Sequence, residues 1–230
     1  MQRAITPRSR QAEEVKAAIL DAAIPLFARG YDSVAIQEIA AASGYKQPLL
    51  MYHFGSKERL WEQAAERLMQ RFDQLHRGYC GQPLKAKGDE QQLKRLLRAF
   101  VLALRELPAY GQILLSEGVH PSGRLLWLHQ HYFPSAFVEA RFEDPRLHKL
   151  LMKVTLPRSA LVGALLYSVV AAPQIALSAQ QDGSSTADEI WPISDAMAER
   201  LVGMMSDFVF AQLEVASPPT AGRRKQKSRH

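Results

Sequence analysis

Residues 33–60 read SVAIQEIAAASGYKQPLLMYHFGSKERL, two short helical patterns meeting across a glycine. Ser33 has the oxygen-bearing side chain of an N-cap, and behind it Ile36, Ile39 and Ala40 fall on one helical face. Gly44 ends this helix, because glycine enters the left-handed backbone of a tight turn without the steric cost of a Cβ. Pro48 suits the first turn of a second helix, where its missing N–H would have had no partner, with Gln47 at or near the cap. Leu50 and Phe54 stand one turn apart, so both can face the first helix and fix the angle between the two. Lys46, Gln47, Leu49, Met51, Tyr52 and His53 are left outward. Such a surface mixes amide, hydroxyl, imidazole and ammonium groups with two apolar side chains. It sits at the N-terminal end of a short helix, the part that a helix-turn-helix inserts among base edges.

The run GYKQPLLMYHFGSKE, residues 44–58, resembles the DNA-binding signature of the TetR family of bacterial transcriptional regulators, and ILDAAIPLFARGYDSVAIQEIA before it matches as well. The resemblance is specific over roughly residues 13–65 and architectural beyond them. It implies that Gln37, Gln47, Pro48 and Leu49 face bases, with Met51 and Tyr52 flanking them, and that His53 and Lys57 reach phosphates, while Lys46 joins the DNA-binding set as an outward side chain of the same surface. The chemistry agrees with most of this. An amide such as Gln47 can pair bidentately with adenine, and Leu49 or Met51 can pack on a thymine methyl. Lys57 would donate to a phosphate near a helix N-terminus, whose dipole favours an anion. Tyr52 and His53 have an alternative use, inward packing and helix capping. Met51 departs from the family pattern, where tyrosine is common and often reaches the DNA backbone.

With 230 residues and 47% hydrophobic content the chain can bury an ample core, as one large domain or a small and a medium one. Its formal charge of +6 is concentrated at one end: Arg223, Arg224, Lys225, Lys227 and Arg229 supply five charges, leaving 6 − 5 = +1 for the rest. DNA binding therefore has to rest on the motif and not on bulk charge. Cys80 is the single cysteine and cannot form an internal disulfide, which fits a reducing cytoplasm, and MQRAITPRSRQ lacks the apolar stretch of a signal peptide.

In chain order, residues 1–10, polar and carrying Arg3, Arg8 and Arg10, are expected to form a flexible basic arm able to reach DNA, or a terminus with no fixed role. Val15, Ile19, Ala22, Leu26 and Phe27 mark a first helix over Gln11–Arg29, with Gly30 as its stop and Pro25 predicting a kink or a turn to solvent. Residues 11–56 thus form a helix-turn-helix domain. A connecting helix over 57–76, capped by Ser56, carries Leu60, Trp61, Ala64, Leu68, Met69 and Phe72 as its stripe. The glycine-, proline- and charge-rich stretch 77–91 is the best boundary. A larger domain over 77–215 follows, with helices expected over 92–107, 109–117, 125–132, 134–141 and 145–154 and no alternating strand pattern.

Residues 159–181 carry no charged side chain, which makes a membrane span a rival to weigh. Gln174, Gln180, Gln181, several serines and Pro173 dilute its apolarity, so burial in a core and against a second copy is the preferred expectation. The last helix, 194–215, is broadly apolar through Met197, Leu201, Met204, Met205, Phe208, Val209 and Leu213. The family resemblance implies that helices at about 157–181 and 194–215 pair with their mates in a four-helix homodimer bundle. Residues 216–230, rich in proline, serine and base, are expected to be a disordered tail.

Little in the sequence suggests catalysis. It has no glycine-rich phosphate loop or nucleophile elbow, and Cys80 has no obvious base beside it. His120, His129, His131 and Glu117 are the one cluster resembling a metal site, yet His129 and His131 on a helix would point about 200° apart. No catalytic residue, metal or cofactor is assigned. Tyr110, Trp127, His129, Tyr132, Phe133 and Tyr167 could line an effector cavity, as in the family, or be ordinary core and surface. The expectation is an all-α cytoplasmic regulator, without a membrane span, having an N-terminal three-helix helix-turn-helix domain and a larger helical ligand-binding and dimerisation domain. It would be a homodimeric repressor released from a near-palindromic operator in double-stranded DNA by an unidentified small molecule. The alternative is a helical protein-binding or membrane-associated module without sequence-specific DNA binding.

Overall fold

A computed structural model of the chain describes residues 7–81, 86–119, 121–131, 134–153, 155–170 and 193–215. Every regular element among them is a helix: α1 Pro7–Phe27, α2 Ile36–Ser43, α3 Gln47–Phe54, α4 Lys57–Cys80, α5 Asp89–Glu106, α6 Pro108–Glu117, α7 Gly123–His131, α8 Ser135–Glu139, α9 Pro145–Lys153, α10 Thr155–Val170 and α11 Asp195–Val215.

The N-terminal unit is a small core of Ile19, Ala23, Ile24 and Phe27 from α1 against Ile39 and Ala40 from α2 and Leu50 and Phe54 from α3, all buried. Helix α1 begins at Pro7, earlier than expected, a position where proline's fixed φ helps to start a helix. Pro25 lies inside α1 on its exposed side, so the hydrogen bond it forgoes faces water, and α1 runs on to place Phe27 in the core. Ser33 is not the N-cap of α2. Its hydroxyl donates back to the Gly30 carbonyl at 2.8 Å, and Ala35, extended at φ −89° and ψ 148°, is the cap residue. The reason lies between them: Val34 is buried, which keeps the backbone out of helical geometry until its side chain has entered the core. Glu38 accepts from the Ala35 N–H at 3.2 Å, the reciprocal half of a capping box. Gly44 closes α2 at φ +75°, where a Cβ would be strained.

Helix α4 joins this unit to the rest. Ser56 caps it, accepting from the Arg59 N–H at 3.1 Å, and Leu60, Trp61, Ala64, Leu68, Met69 and Phe72 are buried along its stripe. The stripe does not stop at His76. That histidine and Cys80 are buried too, so the helix continues to Cys80 through residues expected to be linker. Gly81, at φ +64°, ends it, and Arg95 reaches over to donate to the Gly81 carbonyl at 2.9 Å. Helix α5 likewise starts at Asp89 instead of Gln92, since Asp89 and Glu90 place negative charge where the helix dipole is positive.

In the larger part α5 is central, packed against α4, α6, α10 and α11, and buries Leu93, Leu96, Leu97, Phe100, Val101 and Leu104. Gly111 of α6 allows a close crossing with α10, because a Cβ there would stand 2.5 Å from Val170 Cγ2. Helix α11 starts behind Ser194, whose hydroxyl accepts from the Met197 N–H at 3.2 Å. Among the described residues no helix is long and apolar enough to cross a membrane. Residues 1–6, 171–192, which include the end of the uncharged segment, and 216–230 lie outside the described residues.

Candidate nucleic-acid interface and adjoining cleft

Leu50 and Phe54 anchor α3, at 1% and 3% exposure, and so determine what the helix shows to solvent. Its N-cap is Lys46, extended at φ −78° and ψ 143°, with Gln47 and Pro48 in the first turn. Lys46, Pro48 and Met51 are exposed, as is Gln37 on the first turn of α2, while Gln47, Leu49, His53 and Lys57 are partly exposed. Tyr52 is 82% exposed, which removes inward packing as its use, and the His53 ring meets it edge-on at 5.3 Å. All nine residues thus lie at the surface of α2, α3 and the first turn of α4, elements that pack on one another. The nine offer amide, phenol, imidazole and ammonium groups plus the three apolar side chains of Pro48, Leu49 and Met51, and no carboxylate. Lys57, the first residue of α4, holds its ammonium 4.1 Å from the centroid of the Tyr31 ring.

The unit is tied to α4 electrostatically as well as by its core. Arg67 makes a two-pronged contact with Asp21 of α1, both at 2.8 Å, and this hydrogen bond, above all other influences, holds the Asp21 carboxyl below its ordinary range. Arg71 approaches the same carboxylate at 3.4 Å. Partly exposed, this network contributes at most about 1 kcal/mol, but it fixes how α1 lies along α4.

A cleft of about 340 Å³ opens on the other side of α4, toward α6, α7 and α8. Phe72 and Tyr110 form its apolar floor, their rings stacked at 3.6 Å, beside Trp127. Of the side chains proposed for an effector cavity, Tyr110 and Trp127 line this cleft. His129 and Tyr167 do not: both are exposed, Tyr167 by 55%. Tyr132 and Phe133 lie outside the described residues. The polar lining comes largely from α4 itself, through Glu66, Gln70 and Asp73, and the sequence analysis missed it. Its signal was a polar row one helical turn apart, running beside the buried stripe. Asp73 is already engaged, accepting from the Ser135 N–H at 2.7 Å and from Arg77 Nε at 3.3 Å.

Glu117, weighed as a metal ligand, is nearly buried and paired with Arg124 at 2.9 Å. Among the described residues no group of three or more potential ligands could hold a metal ion. Burial pushes the Cys80 thiol up to about 11, which leaves it protonated and unreactive at neutral pH.

A short-helix pair with a solvent-facing second helix, set on a larger helical body, is the arrangement of a helix-turn-helix fold. Residues 19–64 match the family model of bacterial regulatory proteins, tetR family. Solved structures agree in fold. A TetR family transcription regulator from Marinobacter aquaeolei VT8 is 16% identical with a TM-score of 0.60, over 86% of this chain and 97% of that one. A TetR-like transcriptional regulator from Rhodococcus sp. RHA1 is 19% identical with a TM-score of 0.53, over 87% of this chain and 96% of that one. No curated protein matches the chain. The chain has the DNA-binding domain and the fold of a TetR-family transcriptional regulator.

Proposed function

We propose that the chain acts as a homodimer that places two copies of α3 in successive major grooves of a near-palindromic operator, repressing transcription in the cytoplasm until a small molecule releases it. The observation that carries the DNA contact is the division of α3: Leu50 and Phe54 are spent on the core, which leaves Gln47, Leu49, Met51 and Tyr52 for bases and the backbone beside them. Gln37 and Lys46 extend the same face, Pro48 fixes its first turn, and His53 and Lys57 serve phosphates. Bases would be read by Gln47 and the apolar side chains, and phosphates would set register.

Dimerisation through α10 and α11 is supported by what these helices leave uncovered. Tyr167 is 55% and Met204 63% exposed, and at Gly163 and Gly203 an added Cβ would meet no described atom within 4 Å. A glycine inside a helix costs about 1 kcal/mol against alanine, a cost with no return in the single subunit but a reason if a partner helix approaches there. The cleft between α4 and α6–α8 is the natural seat for the releasing molecule, which need favour the released state by only ~1 to 3 kcal/mol.

Selection from random duplex DNA tests this directly. The full chain should enrich an inverted repeat with half-sites about 34 to 36 Å apart, or at a longer spacing set by the dimer. Absence of enrichment at low salt would refute it.

A further inference from the structure

The corner between α1 and α2 touches the corner between α6 and α7, and the contact is built from charge and ring. The Arg124 guanidinium carbon lies 3.8 Å from the centroid of the Tyr31 ring. Glu117, 5% exposed, holds that guanidinium through a 2.9 Å contact to its Nε, and Ser122 donates to the same carboxylate oxygen at 3.5 Å. Tyr31 is itself stacked on Phe27 of the N-terminal core at 5.9 Å. The same Tyr31 ring carries the Lys57 ammonium at 4.1 Å. One aromatic side chain therefore joins a cation of the larger domain to the cation at the N-terminus of α4.

Helix α7 gives this contact a second end. Trp127 stands one turn beyond Arg124, lines the cleft, and meets the Trp61 ring edge-on at 5.9 Å. A short helix moves as a unit, so what displaces Trp127 also displaces Arg124. The Trp61 indole N–H is buried and has no partner among the described residues, so no hydrogen bond from that ring resists such a shift.

We propose that Arg124 is a positioning residue for DNA binding: pinned by Glu117 on the Tyr31 ring, it fixes where Tyr31 stands, and Tyr31 in turn holds the Lys57 ammonium ready for a phosphate. The inference rests on Lys57 as a phosphate contact and adds the route by which the cleft reaches it. A lysine side chain ordered in advance loses less rotamer freedom on binding. Retracting Arg124 lets the ring swing and returns that freedom. DNA affinity then falls without any movement of α3.

The test is a set of double-mutant cycles on the full chain, with a duplex that the wild type selects from random DNA as probe. Lys57→Met should weaken binding to every duplex alike and lower the salt slope by about 0.9. In a Glu117→Gln/Arg124→Met background, which leaves no buried carboxylate without its partner, the fold-loss from Lys57→Met should shrink by about five-fold. Tyr31→Leu should shrink it equally, whereas Tyr31→Phe keeps the ring face and should preserve the wild-type loss. Equal losses from Lys57→Met in all four backgrounds would overturn the proposal and leave Arg124 with a packing role alone. A Lys57→Met variant that binds and responds to salt like wild type would overturn the phosphate contact, and the proposal with it. A wild type that selects no duplex would sink the operator reading, an outcome distinct from equal losses.

Discussion

His76 is fully buried, stacked on Phe137 at 5.2 Å and only 5° from parallel, with its Nε2–H donating to the Leu96 carbonyl at 3.1 Å. Burial lowers its pKa from 6.5 to about 4, against a smaller raising influence of the Leu96 contact. The unfolded chain therefore takes up a proton near pH 6.5 that the folded chain refuses until about pH 4. Stability present above pH 6.5 is lost as pH falls through that window, by up to about 3 kcal/mol. Urea unfolding at pH 7.5 and pH 4.5 should show the loss, and His76→Phe should reduce it markedly. An unchanged pH dependence in that variant would assign the loss to other groups. The apolar period of α4 carried part of the signal for this burial. His76 stands one turn past Phe72 on the stripe of α4, but the glycine, proline and charge that follow hide the continuation to Cys80. Ser33 misled for a related reason: its type suits a cap, while the demand of Val34 for the core moved the cap to Ala35.

At the level of elements, apolar period was the most legible feature. Leu60 to Phe72 in α4, and Leu93 to Leu104 in α5, are buried as their spacing required, because one face of each helix meets a broad partner. Helix ends were less legible, since α4 and α5 both run into the stretch that composition marked as linker. Close crossings left no local trace at all. Gly111 reads as an ordinary loss of helix propensity, yet it admits Val170 and Leu166 of α10. Gly111→Val should destabilise the fold by roughly 1 to 3 kcal/mol through overpacking. Denaturant midpoints would show it, and a neutral result would mean that α10 yields. By contrast Gly44→Ala strains only the turn between α2 and α3 and should cost about 1 to 2 kcal/mol. Because that turn sets the angle of α3, operator preference should fall with it. A variant with unaltered preference would show that Leu50 and Phe54 fix the angle by themselves.

Over the whole molecule, the helix-turn-helix unit is small and the body large, and they meet along α4 and at the corner of Tyr31 and Arg124. The helix pair was legible because it occupies one contiguous run, residues 36–54. Of the cleft only Tyr110 and Trp127 were legible, and the corner was not, because their side chains come from the α1–α2 connection, α4, α6, α7 and α8 and meet only after folding. On the proposed pairing of α10 and α11, Gly203→Leu should leave a monomer in sedimentation where the wild type is a dimer, with the helical content intact, since the single subunit has open space there. A dimer that persists would move the interface elsewhere. For the central claim the decisive quantity is the ratio of affinities for a selected operator and its scrambled counterpart, measured at one salt concentration for wild type and for Gln47→Ala. The expected result is a strong preference in the wild type that narrows by about 10- to 100-fold in the variant while the fold and the dimer persist. A ratio near one in the wild type would contradict sequence reading by α3, and an identical ratio in both proteins would remove Gln47 from it.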